Sequence, residues 1–150
     1  MKLHIIDDGT DRISVLPDFI IYHILSFLPM KLDVDRTSIL SKRWHYVHAS
    51  FPIFEFDQSH FGIRGLDLDY YATLCNQTFE EANPEDFRTY NKFMEYVDAS
   101  LFGFCSRQTL ALQKFILSMD LMVDIELDSV VDKWIDLAMK KGVKNVHSTL

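Results

Sequence analysis

Cysteine, proline and glycine are scarce in this sequence, and long apolar runs are missing. The 150 residues include two cysteines, four prolines and five glycines. Cys75 and Cys105 are too few and too far apart for a disulfide framework or a zinc-binding pattern. No stretch approaches the ~20 apolar residues that span a bilayer, and residues 1–12 lack the apolar segment of a signal peptide. These absences predict no membrane partner and a location in the cytoplasm and/or nucleus.

Positive charge is also scarce outside the first third of the chain. Residues 1–50 carry six basic and six acidic side chains, while residues 51–150 carry nine and sixteen and so hold the whole net charge of −7. Binding to nucleic acid needs clustered positive charge to displace the counterions of the phosphates. The sequence therefore predicts no nucleic-acid partner.

The sequence contains none of the short motifs that bind nucleotides or form common hydrolase sites. His45 and His48 are three residues apart and would share a helix face, but no cysteine or third ligand stands near them, so we expect no metal and no cofactor. A nucleophile built from Cys75 or Cys105 with a histidine stays open as an alternative, although a buried structural thiol explains each cysteine as well.

Apolar residues are abundant, at 48%, which is enough for a buried core. Residues 12–50 predict three short helices. The first covers Pro17 to Leu28, with Pro17 at its first position, and Pro29 ends it. The second covers about Asp33 to Leu40, and the third covers Ser41 to about Ala49, with Ser41 as the N-cap.

The first predicted helix has an unusually wide apolar side. At ~100° per residue, one arc of about 160° contains six apolar residues: Ile20, Ile21, Ile24, Leu25, Phe27 and Leu28. A helix that rests only on its own core needs an arc of roughly 100°. The extra width indicates a helix that packs inward and also faces a partner, although a helix enclosed within its own domain would show the same pattern.

Residues 53–150 predict alternating strands and helices, joined by a long irregular connection over residues 58–83. The predicted elements are a strand at Phe54–Asp57, a helix from Pro84 (capped by Asn83) to about Phe104, a strand at Leu112–Leu117, a helix from Asp128 or Ser129 that Gly142 ends, and a strand at Val143–His147. The first of these helices has its apolar face at Phe87, Tyr90, Met94, Val97 and Leu101, and the second at Val131, Trp134, Ile135 and Ala138.

Several pieces of the first fifty residues, in order, resemble the F-box of plant-type F-box proteins. They are Leu16-Pro17, the run from Ile24 to Pro29 (ILSFLP), Arg36-Thr37-Ser38, and the run from Leu40 to Trp44 (LSKRW). The later pieces FMEYVDASL, LQKFILS and VVDKWIDLAMKKGVKNV resemble the start of the leucine-rich-repeat region in F-box/leucine-rich-repeat (FBD-like) proteins. The resemblance covers about three quarters of the chain and matches residues 58–83 poorly.

The resemblance implies a mainly α, three-helix F-box at residues 12–52, an N-terminal tail at 1–11, and a short, incomplete α/β leucine-rich-repeat-like solenoid at 53–150. It also implies docking onto a Skp-type adaptor and, through it, a cullin. The residues that would contact the adaptor, or support that contact, are Leu16, Pro17, Ile20, Ile21, Ile24, Leu25, Leu28, Pro29, Val34, Ile39, Leu40 and Trp44. Trp44 and Leu40 fit equally well as core residues of the helical unit.

Three positions depart from the family pattern. Asp35 is one extra residue between Lys31 and Arg36, so either the loop before the second helix absorbs it or that helix is misphased. Phe19 stands where the family usually has an acid, and His48 stands where the family often has a tryptophan. The departures at Phe19 and His48 are expected to weaken adaptor binding without abolishing it.

The sequence thus predicts an interaction protein and not an enzyme. Its expected role is that of the F-box subunit of an SCF-type (Skp, cullin, F-box) ubiquitin ligase, which recruits a target protein of unknown identity for ubiquitination. The length suggests a short form that lacks a complete target-binding region. The alternatives are an adaptor-independent helical interaction scaffold and a small cysteine-dependent hydrolase.

Overall fold

A computed structural model of the protein describes residues 12–28, 31–63, 84–107, 110–120 and 125–149. The chain divides into two compact units, Met1–Phe51 (unit 1) and Pro52–Leu150 (unit 2). The described residues are mostly helical, with a small open sheet of three parallel strands. Pro29, Cys75 and Asn83, together with most of the predicted 58–83 connection, lie outside the described residues.

Unit 1 contributes short helices to the described structure. In its described part these are α1 (Asp18–Leu25), α2 (Lys31–Arg36), a 3-10 turn (Thr37–Ile39) and α3 (Lys42–Ala49). The predicted N-cap of α3 is confirmed, because the Ser41 hydroxyl accepts a hydrogen bond from the Trp44 amide at 3.2 Å. The α2 helix begins two residues before the predicted start at Asp33. It ends at Arg36, and the 3-10 turn follows it where the prediction had the helix continue to Leu40.

The α1 helix is shorter than predicted at both ends. Pro17 precedes the helix as its cap position, where its carbonyl accepts from the amides of Ile20 and Ile21. After Leu25 the chain tightens into a turn, in which the Phe27 and Leu28 amides donate to carbonyls three residues back. Leu28 comes directly before Pro29, and the α conformation is disfavoured for a residue before proline. This effect keeps the helix from continuing to Leu28.

The core of unit 1 is small and combines side chains from all three helices. It contains Ile21, Leu25, Val34, Trp44, Val47 and Phe51. The Tyr22 hydroxyl shares a 2.7 Å hydrogen bond with the Ser50 hydroxyl, and the Tyr22 ring stacks on Phe51. These contacts join α1 to the end of α3, so they fix which side of α1 points inward.

Unit 2 is built on β1 (Ile53–Asp57), β2 (Lys114–Ser118) and β3 (Asn145–Thr149), which pair in parallel in the order β1-β2-β3. Two helices connect them within the described residues, α4 (Pro84–Arg107) between β1 and β2, and α5 (Ile125–Lys140) between β2 and β3. All three predicted strands and both predicted helices exist. The second and third strands each begin two residues after the predicted start, and α5 begins three or four residues before it.

Alternation along β1 and β2 places every second side chain in the core. Phe54 and Phe56 pair in register with Phe115 and Leu117, and all four are buried. The helices cover this face of the sheet with Tyr90, Phe93, Val97, Leu101 and Phe104 from α4 and Val131, Trp134 and Ala138 from α5. The predicted face of α4 was wrong in part, because Phe93 and Phe104 are buried while Met94 and Phe87 are only partly covered.

Specific polar contacts fix the strand ends and helix ends of unit 2. The Gln58 side chain donates to the Asp120 carboxylate at 2.7 Å and accepts from the Asp120 amide at 2.9 Å, which ties the chain after β1 to the chain after β2. The predicted end of α5 is confirmed: Gly142 has a φ of +81°, a conformation that suits glycine, and the Val143 amide donates back to Ala138. None of the helices in the described ranges is long and apolar enough to cross a membrane.

Candidate protein-interaction surface

The apolar arc of α1 divides into an inward and an outward half. Ile21 and Leu25 point into the core and are 0% exposed. Ile24 and Phe27 point outward and are 39% and 72% exposed. Only part of the apolar arc of α1 is therefore buried within unit 1. We call Phe19, Ile20, Ile24 and Phe27 the outward side of α1.

Phe19 and Phe27 are the two phenylalanines of this outward side, and both are mostly exposed. The His23 ring lies between them along the helix and meets Phe27 edge-on, with 4.9 Å between ring centroids. Phe19 lies four residues before His23, on the same face of α1. Its exposed side chain adds apolar surface to unit 1.

The remaining predicted contact residues of this region are partly accessible. Ile20, within α1, is half-buried, as are Leu16 before the helix and Leu28 after it, and Pro17 is exposed. Leu16, Pro17 and Leu28 therefore flank the outward side of α1 at its two ends. Pro29 lies outside the described residues.

The predicted residues of the second and third helices also divide into two groups. Val34 and Trp44 are buried in the unit 1 core, where they act as support. Ile39 and Leu40 are 87% and 50% exposed. The sequence argument missed Tyr46, which is 74% exposed although its neighbours on α3, Trp44 and Val47, are buried. The signal that could have identified Tyr46 is its position on α3, outside the helix face that is buried in the unit 1 core.

A shallow groove lies beside these exposed residues. It is lined by Ser38, Ile39, Ser41, Lys42, His45 and Tyr46. Its lining mixes one aliphatic residue and two aromatic rings with two serines and a lysine. A groove this open suits contact with another polypeptide better than a small ligand, which usually occupies a more enclosed cavity. We call this groove with Leu40 the α3 groove.

Two adjacent residues of α3 hold the chain that leads into α1. The Trp44 indole Nε1 donates to the Ile13 carbonyl at 3.2 Å. The Arg43 guanidinium donates through Nη1 to the Ser14 carbonyl at 2.9 Å and through Nη2 to the Asp18 carboxylate at 2.6 Å. The α3 side chains therefore bind the chain both before and after the Leu16-Pro17 pair.

The other two departures from the family pattern, Asp35 and His48, meet in the structure. Asp35 lies within α2. The two residues before α2 lie outside the described ranges, so the expectation about the preceding loop stays a prediction. Its carboxylate pairs with the buried Lys31 ammonium and lies 3.7 Å from His48 Nε2. A buried ammonium is costly without a partner, which Asp35 supplies.

The two ring nitrogens of His48 each face an oxygen atom. Its Nδ1 lies 2.6 Å from the His45 carbonyl, and its Nε2 faces Asp35. Burial lowers the pKa of His48, and this effect outweighs the opposing attraction of the Asp35 carboxylate; the Lys31 ammonium lowers the pKa further. The neutral imidazole is thus favoured in the folded unit.

Metal binding and nucleophilic catalysis were considered from the sequence for the histidines and cysteines. Across the described residues, no group of three or more metal-binding side chains occurs. Burial raises the pKa of the Cys105 thiol, an effect that the nearby Lys141 only partly opposes, and a raised pKa reduces the reactive thiolate. Cys75 lies outside the described residues.

Similar proteins from Arabidopsis thaliana agree with the resemblance seen in the sequence motifs. One F-box/LRR-repeat protein is 36% identical over 142 residues, which cover 91% of this chain and 28% of the relative. F-box/LRR-repeat protein 13 is 32% identical over 140 residues, or 93% of this chain and 24% of the relative. An FBD-associated F-box protein is 30% identical over 141 residues, or 93% of this chain and 26% of the relative. The resemblance to plant F-box/LRR-repeat proteins is confirmed.

The chain spans about a quarter of the length of these relatives. No family model matches the chain. No solved structure matches it either.

Proposed function

We propose that this chain is an F-box protein whose residues 12–52 dock onto the Skp-type adaptor of an SCF-type ubiquitin ligase. The observation that carries the proposal is the similarity to F-box/LRR-repeat proteins over nine-tenths of the chain. The apolar surface that unit 1 leaves exposed supports it. Under this proposal the chain is not an enzyme; it brings a target protein near the ligase and so raises the target's effective concentration there.

The docking surface combines the outward side of α1 with the α3 groove. Direct contact is assigned to the accessible members of the predicted set, which are Leu16, Pro17, Ile20, Ile24, Leu28, Ile39 and Leu40; Pro29 belongs to the same proposed set. Phe27 and Tyr46 join them on the basis of their exposure. The buried members Ile21, Leu25, Val34 and Trp44 support the surface from beneath.

The energetics of these side chains suit a protein partner. Fully burying one Ile or Phe side chain is worth roughly 1.5–3 kcal/mol, and a few such anchors usually dominate an interface. Phe27 and Ile39 have most of their surface still to bury. An amphipathic helix that offers a second apolar side to a partner groove is a recurring mode of recognition.

We assign residues 53–150 to the beginning of a leucine-rich-repeat-like solenoid. The support is that β1, β2 and β3 are parallel and pair in chain order, and that β2 and β3 begin 31 residues apart, at Lys114 and Asn145. Leucine-rich repeats run at roughly 20–29 residues per unit, so these units are slightly long. The proposed role of this region is target binding, and the proposed location is the cytoplasm and/or nucleus, where the ligase would act through its cullin.

The direct test is a titration of the purified chain with a Skp-type adaptor, measured by calorimetry after coexpression. Ile24→Asp and Phe27→Asp should each weaken adaptor binding about tenfold or more, because each would place a charge in an apolar contact. Both side chains are exposed in the free chain, so the fold should survive, as circular dichroism would verify.

Two matched variants serve as controls. Phe102→Asp places the same charge at an exposed phenylalanine of α4 (63% exposed), in unit 2. Ser26→Ala changes an exposed residue whose hydroxyl only donates to the His23 carbonyl of its own helix. Both should bind like the parent. If the parent itself shows no adaptor binding, the proposal is wrong and the adaptor-independent scaffold takes its place.

A further inference from the structure

The chain between residues 13 and 17 leads into α1 and carries Leu16 and Pro17 of the proposed docking surface. The Leu16 amide donates to the Ile13 carbonyl at 3.4 Å, which is long for a hydrogen bond. Residues 12–16 form turns and bends and not a helix. Side chains of another helix also hold this segment.

Arg43 and Trp44 supply that hold from α3. They donate to two successive carbonyls, Trp44 to Ile13 at 3.2 Å and Arg43 to Ser14 at 2.9 Å. The second arm of the Arg43 guanidinium reaches Asp18, the first residue of α1, at 2.6 Å. One planar side chain thus joins the residues on either side of the Leu16–Pro17 pair.

Arginine suits this arrangement because its guanidinium presents several donors in a rigid fork, whereas lysine is a single point charge. The pair is partly exposed to solvent, with 37% of the Arg43 side chain and 65% of the Asp18 side chain accessible. Exposed ion pairs contribute little to folding stability. The inward residues Ile21 and Leu25 hold α1 on the unit independently of Arg43.

We propose that Arg43 is a positioning residue for partner binding: it fixes the Leu16–Pro17 segment in the conformation that the adaptor recognises. This inference rests on the proposed function. Removing Arg43 leaves the core intact and lets the segment sample other conformations. The apparent affinity then falls in proportion to the fraction of molecules that remain competent to bind.

The test compares Arg43→Ala, Arg43→Gln and Asp18→Asn with the parent in adaptor titrations. Arg43→Ala should weaken adaptor binding by about three- to tenfold, with the thermal unfolding midpoint nearly unchanged. Arg43→Gln, which keeps a donor for the Ser14 carbonyl, and Asp18→Asn, which removes only the charge partner, should each lose less. Arg36→Ala, which removes the same charge from an exposed side chain of α2, should bind like the parent.

Amide hydrogen exchange of the free chain provides a readout that a purely stabilising role would not change. Arg43→Ala should accelerate exchange at the Leu16 amide while the amides of Ile21 and Leu25 keep the parent rates. Equal adaptor affinity of parent and Arg43→Ala, or an unchanged Leu16 exchange rate, would overturn the inference. If Arg43→Ala unfolds unit 1, the comparison passes to Asp18→Asn, and parent-like affinity and Leu16 exchange in that variant would overturn it. Failure of the parent to bind would instead overturn the proposed function, and the exchange experiment would still report on the Arg43 contacts.

Discussion

His48 Nε2 lies 3.7 Å from the carboxylate of Asp35, and the same carboxylate pairs with the ammonium of Lys31. These side chains connect α2 to α3 in a unit whose apolar core is small. Both residues were singled out in the sequence as expected departures from the F-box pattern. Because a carboxylate only accepts hydrogen bonds, Asp35 can pair with His48 Nε2 only when that nitrogen carries a proton.

The first prediction concerns the pH dependence of this contact. Burial lowers the pKa of His48 in the folded unit, so the unfolded chain takes up the proton at a higher pH than the folded chain. The free energy of unfolding should therefore decrease as the pH falls below the ordinary histidine pKa of about 6.5 and through the lower folded pKa. Urea unfolding at pH 7.5, 6.5 and 5.5 measures this trend.

His48→Gln is the matched variant for the pH series, because it keeps polar atoms but does not titrate. Its unfolding free energy should fall less between pH 7.5 and 5.5 than that of the parent. A fall identical to the parent's would show that His48 is not the titrating group.

The second prediction separates two neighbouring residues of α1. Leu25→Ala should lower the free energy of unfolding by about 2–5 kcal/mol, because Leu25 is fully buried and its loss leaves a cavity. Ile24→Ala removes a side chain that remains partly in water and should cost less than about 1.5 kcal/mol. Chemical denaturation of the two variants compares them. Similar losses would mean that the inward side of α1 is misassigned.

The third prediction concerns the link between the chain after β1 and the chain after β2. Gln58→Ala removes the side-chain partner of both the Asp120 amide and its carboxylate, and should cost about 1–3 kcal/mol of unfolding free energy. Gln58→Glu places a second carboxylate against Asp120, so it should destabilise unit 2 at pH 7 and less at pH 4. Denaturant titrations at both pH values, relative to the parent, measure the difference. A loss for Gln58→Glu that is no smaller at pH 4 would exclude carboxylate repulsion as its cause.

The fourth prediction concerns Trp134, which is fully buried in unit 2 and donates through Nε1 to Asp98 at 3.0 Å. Trp134→Ala should lower the free energy of unfolding by about 3–5 kcal/mol. Asp98→Asn retains a carbonyl oxygen that can accept the indole bond, so it should cost less than about 1 kcal/mol. Comparable losses in the two variants would indicate that the charge of Asp98, which also lies 3.6 Å from Lys133, matters more than its hydrogen bond.

Much of the secondary structure followed from local patterns. Alternation in Phe54–Asp57 predicted β1, and the turn at Gly142 followed from a glycine after two lysines. The errors lie at helix ends and in face assignment. Periodicity alone did not decide between Phe93 and Met94 as core residues of α4, because they lie on opposite edges of the apolar stripe, about 100° apart. Only the packing of α4 in unit 2 shows that Phe93 is buried and Met94 is half-buried.

The candidate surface was harder to predict than the fold. The width of the α1 arc indicated a second apolar side. Periodicity did not distinguish Ile24 from Ile21 and Leu25, although the latter two are buried. Which half points inward depends on contacts distant in sequence, such as Tyr22 with Ser50. The contacts of Arg43 with Ser14 and Asp18, which are more than twenty positions away, had no local signal for the same reason.

The division of α1 into two sides has a consequence for how related sequences should diverge. Leu25 must satisfy a fixed volume inside its own unit, so substitutions there should be confined to aliphatic residues of similar size. Ile24, one position earlier, does not have that packing constraint. Substitutions at this position should instead co-vary with substitutions in the partner surface that it contacts. Two adjacent positions would then evolve under different selective constraints: position 25 under the packing of this polypeptide, and position 24 under the surface of its binding partner.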